Sequence, residues 1–146
     1  MTDLNELYQQ MIIDHGRKPR NYKPMEHSTC SHEGYNPLCG DHITVFIQEE
    51  KNLIQDIAFQ GTGCAICLAS ASMMTESLKN KSLEQAKQLF QNVHQMLTQN
   101  ILHDNLGKLS VLSGVSQYPM RVKCATLPWH TLMGAIDYDS TPTTTE

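Results

Sequence analysis

The chain of 146 residues carries a formal net charge of −4, with 40% hydrophobic and 18% charged residues. This is the balance of a one-domain globular protein that buries roughly 70% of its unfolded surface. No window approaches the ~18 uninterrupted apolar residues of a membrane span, the acidic start MTDLNELYQQ is unlike a signal peptide, and no basic cluster beyond GRKPR at 16–20 offers a phosphate backbone a surface. The expectation is a cytoplasmic protein with neither nucleic acid nor membrane as partner.

Leu4, Leu7, Tyr8, Met11 and Ile12 follow the spacing of an amphipathic helix, with Asp3 as N-cap, Glu6 completing a capping-box-like pair, and a stop near His15-Gly16. Residues 17–37 are proline-rich and read as an extended or looping connection with room for one short strand at 27–35. Two β-rich runs at 42–49 and 53–60, joined by a polar EKN, predict an antiparallel hairpin with Ile43, Val45 and Ile47 on one face. Glycines 61 and 63 turn the chain into a helix from Cys64 to about Leu78, with Met73 and Met74 in the core.

Ser82 and Gln85 form a second capping box. From there Leu83, Ala86, Leu89, Phe90, Val93 and Leu97 make a helical stripe to about residue 99. LGKLSVLSGV predicts a short helix ending at Gly114, and Pro119 suits the first position of a last helix to about Ile136. Pro128 would leave the Cys124 carbonyl without its donor, predicting a kink or a fresh helix start. DSTPTTTE, at the end, reads as a disordered tail over 140–146. Residues 1–139 therefore form a single domain.

The five cysteines are Cys30, Cys39, Cys64, Cys67 and Cys124. In a reducing compartment, thiols serve metals or chemistry more often than bridges. Cys64 and Cys67 share a helix face, as packed apolar side chains or as a redox pair, but the βαβ context of a thioredoxin-like pair is missing. Three stretches each place a thiol at an element boundary: NPLCGD at 36–41, GTGCAI at 61–66 and RVKCATLPWH at 121–130. A helix N-terminus favours thiolate at Cys64, and Gly61 and Gly63 would let the backbone approach whatever is bound. Cys30 is given no role. His94, His103 and His130 read as surface residues, His130 also as a partner contact, while His27, His32 or His42 could orient Asp41.

These motifs, in this order and with LYQQMIIDHGRKPRN ahead of them, resemble the U-type iron-sulfur cluster assembly proteins, the family of IscU and the NifU N-terminal domain. The long segment between Cys64 and Cys124 and the form RVKC are similar to its SufU branch. IscU-type chains have a shorter segment and a histidine where this chain has Lys123. The resemblance implies an α+β fold, a small antiparallel sheet of about three strands covered by helices, with a metal site at one end. It further implies Cys39, Asp41, Cys64 and Cys124 as ligands, a set whose chemistry suits tetrahedral zinc. Cys67 could replace Asp41, which would close the shell with four thiolates and leave no exchangeable oxygen.

The function implied is a zinc-dependent sulfurtransferase of iron-sulfur cluster assembly, taking persulfide sulfur from a SufS-like cysteine desulfurase for downstream assembly or apo-proteins. Cys39, in its glycine-flanked loop, is the expected persulfide acceptor, with a desulfurase histidine taking its place on the metal, and Cys124 is the second choice. Arg121 would stabilise a thiolate or persulfide anion. The alternative is a scaffold that holds a transient 2Fe–2S cluster on Cys39, Cys64 and Cys124, since thiolates suit iron as well as zinc. A structural zinc module that only binds partners is the third reading.

Overall fold

The computed structural model describes residues 4–137 and 142–144, with side chains from Gln9 onward. The Asp3 cap and the side chains of Leu4, Leu7 and Tyr8 lie outside the described residues. In chain order the elements are α1 (Leu4–Arg17), β1 (Cys30–Asn36), β2 (Asp41–Glu50), β3 (Leu53–Thr62), α2 (Ala65–Leu78), α3 (Leu83–Gln99), a 3-10 segment (Asp104–Gln117), α4 (Pro119–Ile136) and β4 (Thr143–Thr144). The architecture is α+β, as expected, and the sheet has four strands in the order β3-β2-β1-β4 rather than about three. Among the described residues no helix is long and apolar enough to cross a membrane.

Alternation dictates the sheet. Ile43, Val45 and Ile47 point from β2 into the core and are fully buried, while His42 on the other face is exposed. The β2–β3 turn places Lys51 and Asn52 at φ of 54° and 65°, the two positive values that fit a two-residue loop to the strand twist. The strand expected at 27–35 is β1, and it pairs antiparallel with β2 from Cys30 opposite Ile47 to Asn36 opposite Asp41. NPLCGD is thus the tip of a second hairpin, which the sequence pattern did not disclose.

The helices cover the sheet's apolar side. α2 buries Cys67, Ala69, Met73, Met74 and Leu78, so both methionines are core, as expected. The Ser82–Gln85 capping box is present in both directions, and Asn100 ends α3 in the left-handed conformation.

Three differences from expectation have physical causes. The segment after α3 is a 3-10 helix running to Gln117, broken at Gly107, not a short helix ending at Gly114. Its buried Leu106, Leu109, Leu112 and Val115 recur every third residue, the period that stacks one face of a 3-10 helix. α4 runs through Pro128 without a fresh start: residues 124–129 are all buried, and Ser70 Oγ on α2 donates to the Ala125 carbonyl at 2.6 Å while accepting from Trp129 Nε1 at 3.2 Å. Tertiary packing there outweighs the lost helical bond. Finally, Thr143 and Thr144, expected in a disordered tail, pair parallel with Gly34 and Tyr35 of β1; residues 140, 141, 145 and 146 lie outside the described residues.

Candidate metal centre

Three chain segments meet at the end of the β1–β2 hairpin. Residues 37–40 form its loop, in which the Cys39 N–H donates to the Asn36 carbonyl at 3.2 Å. Gly40 has a φ of 73°, a region that a side chain makes costly. This turn holds the Cys39 sulfur 3.2 Å from that of Cys124 on α4. The third segment is the start of α2, where Cys64 is the N-cap residue.

Cys39, Asp41 and Cys124 each offer a ligand atom, and those atoms lie within 4.8 Å of one another. Among the described residues this is the one such group. Donors about 2.3 Å from a shared tetrahedral zinc ion stand about 3.8 Å apart, so small side-chain movements suffice. Two sulfurs and a carboxylate oxygen are a donor set that zinc accepts, and the residues present fit it.

Asp41 is only 2% exposed, and both its oxygens are engaged. Oδ1 accepts the Cys64 main-chain N–H at 2.8 Å, and Oδ2 accepts from Asn36 Nδ2 at 3.3 Å. The Cys64 side chain makes no capping bond, so the carboxylate serves the helix start in its stead. The close approach that Gly63 permits is to this carboxylate, since a Cβ there would stand 2.9 Å from Oδ1. At Gly61 a Cβ would meet the His42 carbonyl at 2.2 Å, so that glycine serves strand packing.

Asn36 Nδ2 also donates to the Cys124 sulfur, at 3.5 Å. Burial pushes the Cys124 thiol far up, with hydrogen bonding to Cys39 and Asp41 adding to it. The sulfur therefore keeps its proton until a cation displaces it. Arg121, one turn earlier, is exposed and lies near the Cys64 and Cys124 side chains. Thiolates at those two positions, at Cys64 foremost, would raise it above the ordinary arginine value. Cys64 is half-buried beside Arg121 and stands outside the group of three.

The structure places the remaining sequence candidates elsewhere. Cys67 is fully buried in α2, and burial holds its thiol well up, with the Asp41 charge next in weight. Cys30 is a half-buried thiol on β1, and all five cysteines are free. None of the three histidines proposed to orient Asp41 contacts it by hydrogen bond: His32 is buried 3.0 Å from Thr143 Oγ1, His42 stacks on Tyr35, and His27 is exposed. Asn36 and the Cys64 N–H do that work. Asn36 was missed although it opens NPLCGD, because an amide before proline reads as an ordinary turn residue. His94 and His130 are half-buried and meet edge to face beside Phe90 rather than standing free on the surface. His103 is exposed.

Thiols and a carboxylate gathered at a hairpin tip, against the start of α2 and the second turn of α4, define a small α+β protein with a thiol-rich candidate metal site. The chain belongs to the family described as NifU-like N terminal domain, whose sequence model matches residues 7–125. It is 39% identical over 133 residues to the zinc-dependent sulfurtransferase SufU of Bacillus subtilis, covering 90% of each chain. It is 36% identical over 138 residues to the iron-sulfur cluster assembly scaffold protein IscU of Streptococcus pyogenes, covering 93% of this chain and 86% of that one. A crystal structure of a NifU-like protein (N-terminal) from Brucella abortus superposes with a TM-score of 0.83 at 17% identity, covering 92% of this chain and 94% of that one. That likeness concerns the fold alone.

Proposed function

We propose that the protein acts in iron-sulfur cluster assembly as a zinc-dependent sulfurtransferase, accepting sulfur from the persulfide of a cysteine desulfurase. The observation that carries this reading is the convergence of Cys39, Asp41 and Cys124 within 4.8 Å, in a chain 39% identical to a protein named for that activity. The ligands are Cys39, Asp41, Cys64 and Cys124, with Cys64 completing the set by a side-chain movement. Bound zinc would keep these sulfurs deprotonated and guarded.

Cys39 is the acceptor. It is half-buried on a loop tip, whereas Cys124 is fully buried, so Cys39 is the sulfur a partner can reach. Its thiolate attacks the terminal sulfur of the enzyme-bound persulfide. A new S–S bond forms at Cys39, the donor's S–S bond breaks, and the donor cysteine leaves as thiolate, so charge is conserved. Arg121 stabilises the anion as it develops, and Cys124 is the second choice of acceptor.

The test is sulfide release by a desulfurase in the presence of the zinc-loaded chain, with mass spectrometry of trapped persulfide. Wild type stimulates release and carries the extra sulfur on Cys39, and Cys39→Ser does neither; undiminished stimulation by the variant ends the assignment. A second reading, a scaffold that carries a 2Fe–2S cluster as cargo, is favoured by the 36% identity to a protein named as such. It predicts a brown protein with visible absorption after purification, whereas the sulfurtransferase is colourless.

A further inference from the structure

Asn36 is fully buried, yet its Oδ1 has no hydrogen-bond partner among the described residues. Half of this amide is unsatisfied in the protein interior, a cost that an apolar side chain of the same shape would avoid. The other half is fully used. Nδ2 has two hydrogens, and its two acceptors are Asp41 Oδ2 at 3.3 Å and Cys124 Sγ at 3.5 Å, both ligands in the function proposed above. Neither hydrogen goes to Cys39. The bond between Asn36 and Cys39 is main chain to main chain, which any residue at 36 could accept.

The three ligand side chains of the hairpin and α4 are therefore held unequally. Asp41 is fixed at both oxygens, by Asn36 and by the Cys64 N–H. Cys124 is fixed by the same amide and lies in the buried part of α4. Cys39 sits next to Gly40 on the loop tip, and the side-chain bond it receives comes from Cys124. Ligands already oriented lose little freedom when they bind a cation and have no second position to swing into. Cys39 does.

We propose that Asn36 is a positioning residue that clamps Asp41 and Cys124 together, so that Cys39 is the ligand that lets go when sulfur is delivered. This rests on the metal site proposed above. The clamp acts on the ligands beyond its part in the fold, so its signature is metal release faster than any loss of zinc-free stability accounts for.

The experiment loads the full chain with zinc and follows its release to a colorimetric chelator. Asn36→Ala should release zinc roughly 10–100-fold faster than wild type, and Asn36→Ser, which keeps one donor, should fall between them. Asn36→Ala also loses two buried hydrogen bonds, so its zinc-free melting temperature should fall modestly, by less than the change in release requires. In a Cys39→Ser chain the effect of Asn36→Ala should persist at similar size, because the clamp works through the other two ligands. An unchanged release rate, or an effect that vanishes in the Cys39→Ser chain, overturns the clamp while leaving the sulfurtransferase reading intact. Faster release that merely tracks a fall in zinc-free melting temperature makes Asn36 structural and also overturns it. If Asn36→Ala does not fold, Asn36→Ser decides alone: release as slow as wild type overturns the proposal. A wild-type chain that takes up no zinc overturns both readings together.

Discussion

The Asp41 carboxylate accepts the main-chain N–H of Cys64 across 2.8 Å, joining the tip of one hairpin to the first turn of a helix that begins after the next strand. One oxygen caps α2 while the other faces Asn36 and the candidate site, so this side chain supports the fold and, in the function proposed above, the metal as well.

Asp41→Ala and Asp41→Asn separate those two duties. Losing a helix-capping acceptor costs about 0.5–2 kcal/mol, so zinc-free Asp41→Ala should unfold at lower urea than wild type. Asp41→Asn, which keeps a neutral acceptor oxygen, should fall closer to wild type. Both should hold zinc less tightly if Asp41 is a ligand as proposed, since each removes its anionic oxygen. Sulfur transfer that continues unchanged in a folded Asp41→Ala chain would reduce the centre to a structural module.

Arg121 is exposed and beside two thiols, so solvent screens part of its charge. Arg121→Ala should slow persulfide transfer about three- to tenfold with zinc content unchanged. Arg121→Lys should recover part of the rate, because it restores the charge without the planar fork. Single-turnover transfer with zinc assayed in the same samples checks this.

His15 sits between α1 and α2, 4% exposed, with Nδ1 2.7 Å from Ser72 Oγ. Burial lowers its pKa below 6.5, with the Arg20 charge next. The unfolded chain therefore binds more protons than the folded one in the window below pH 6.5. Stability is fully present above that value and is lost as pH falls through it. His130, lowered by burial and then by His94, adds to the same slope. Urea midpoints should drop between about pH 7.5 and about pH 5.5. The drop should be smaller in His15→Gln, and an identical drop would exclude His15 as its source.

Gly134 on α4 lies against His32 of β1, where a Cβ would stand 2.4 Å from the imidazole. Gly34 on β1 would place its Cβ 2.0 Å from Thr131 Oγ1. Neither neighbour is free to retreat, since His32 is held to Thr143 and Thr131 donates to the Leu127 carbonyl. Gly134→Ala and Gly34→Ala should each cost about 1–3 kcal/mol by overpacking, measured as lower urea midpoints. Gly114, around which a Cβ meets nothing, supplies the comparison: alanine there should unfold near wild type.

The sequence by itself determined α1, α2, α3 and the span of α4, the β2–β3 hairpin and the Ser82–Gln85 box, because periodicity and capping act between residues a few positions apart. It also marked Cys39, Asp41, Cys124 and Arg121, through motifs that keep their chemistry at element boundaries. Only the tertiary structure decided what those residues touch. The Asn36–Cys124 contact spans 88 positions and Asp41–Cys64 spans 23, separations over which no local pattern carries information. The same holds for the passage of α4 through Pro128, the pairing of Thr143 with β1 and the turning of His32 away from Asp41. Each was settled by packing between distant elements, which outweighs local preference wherever side chains are buried together.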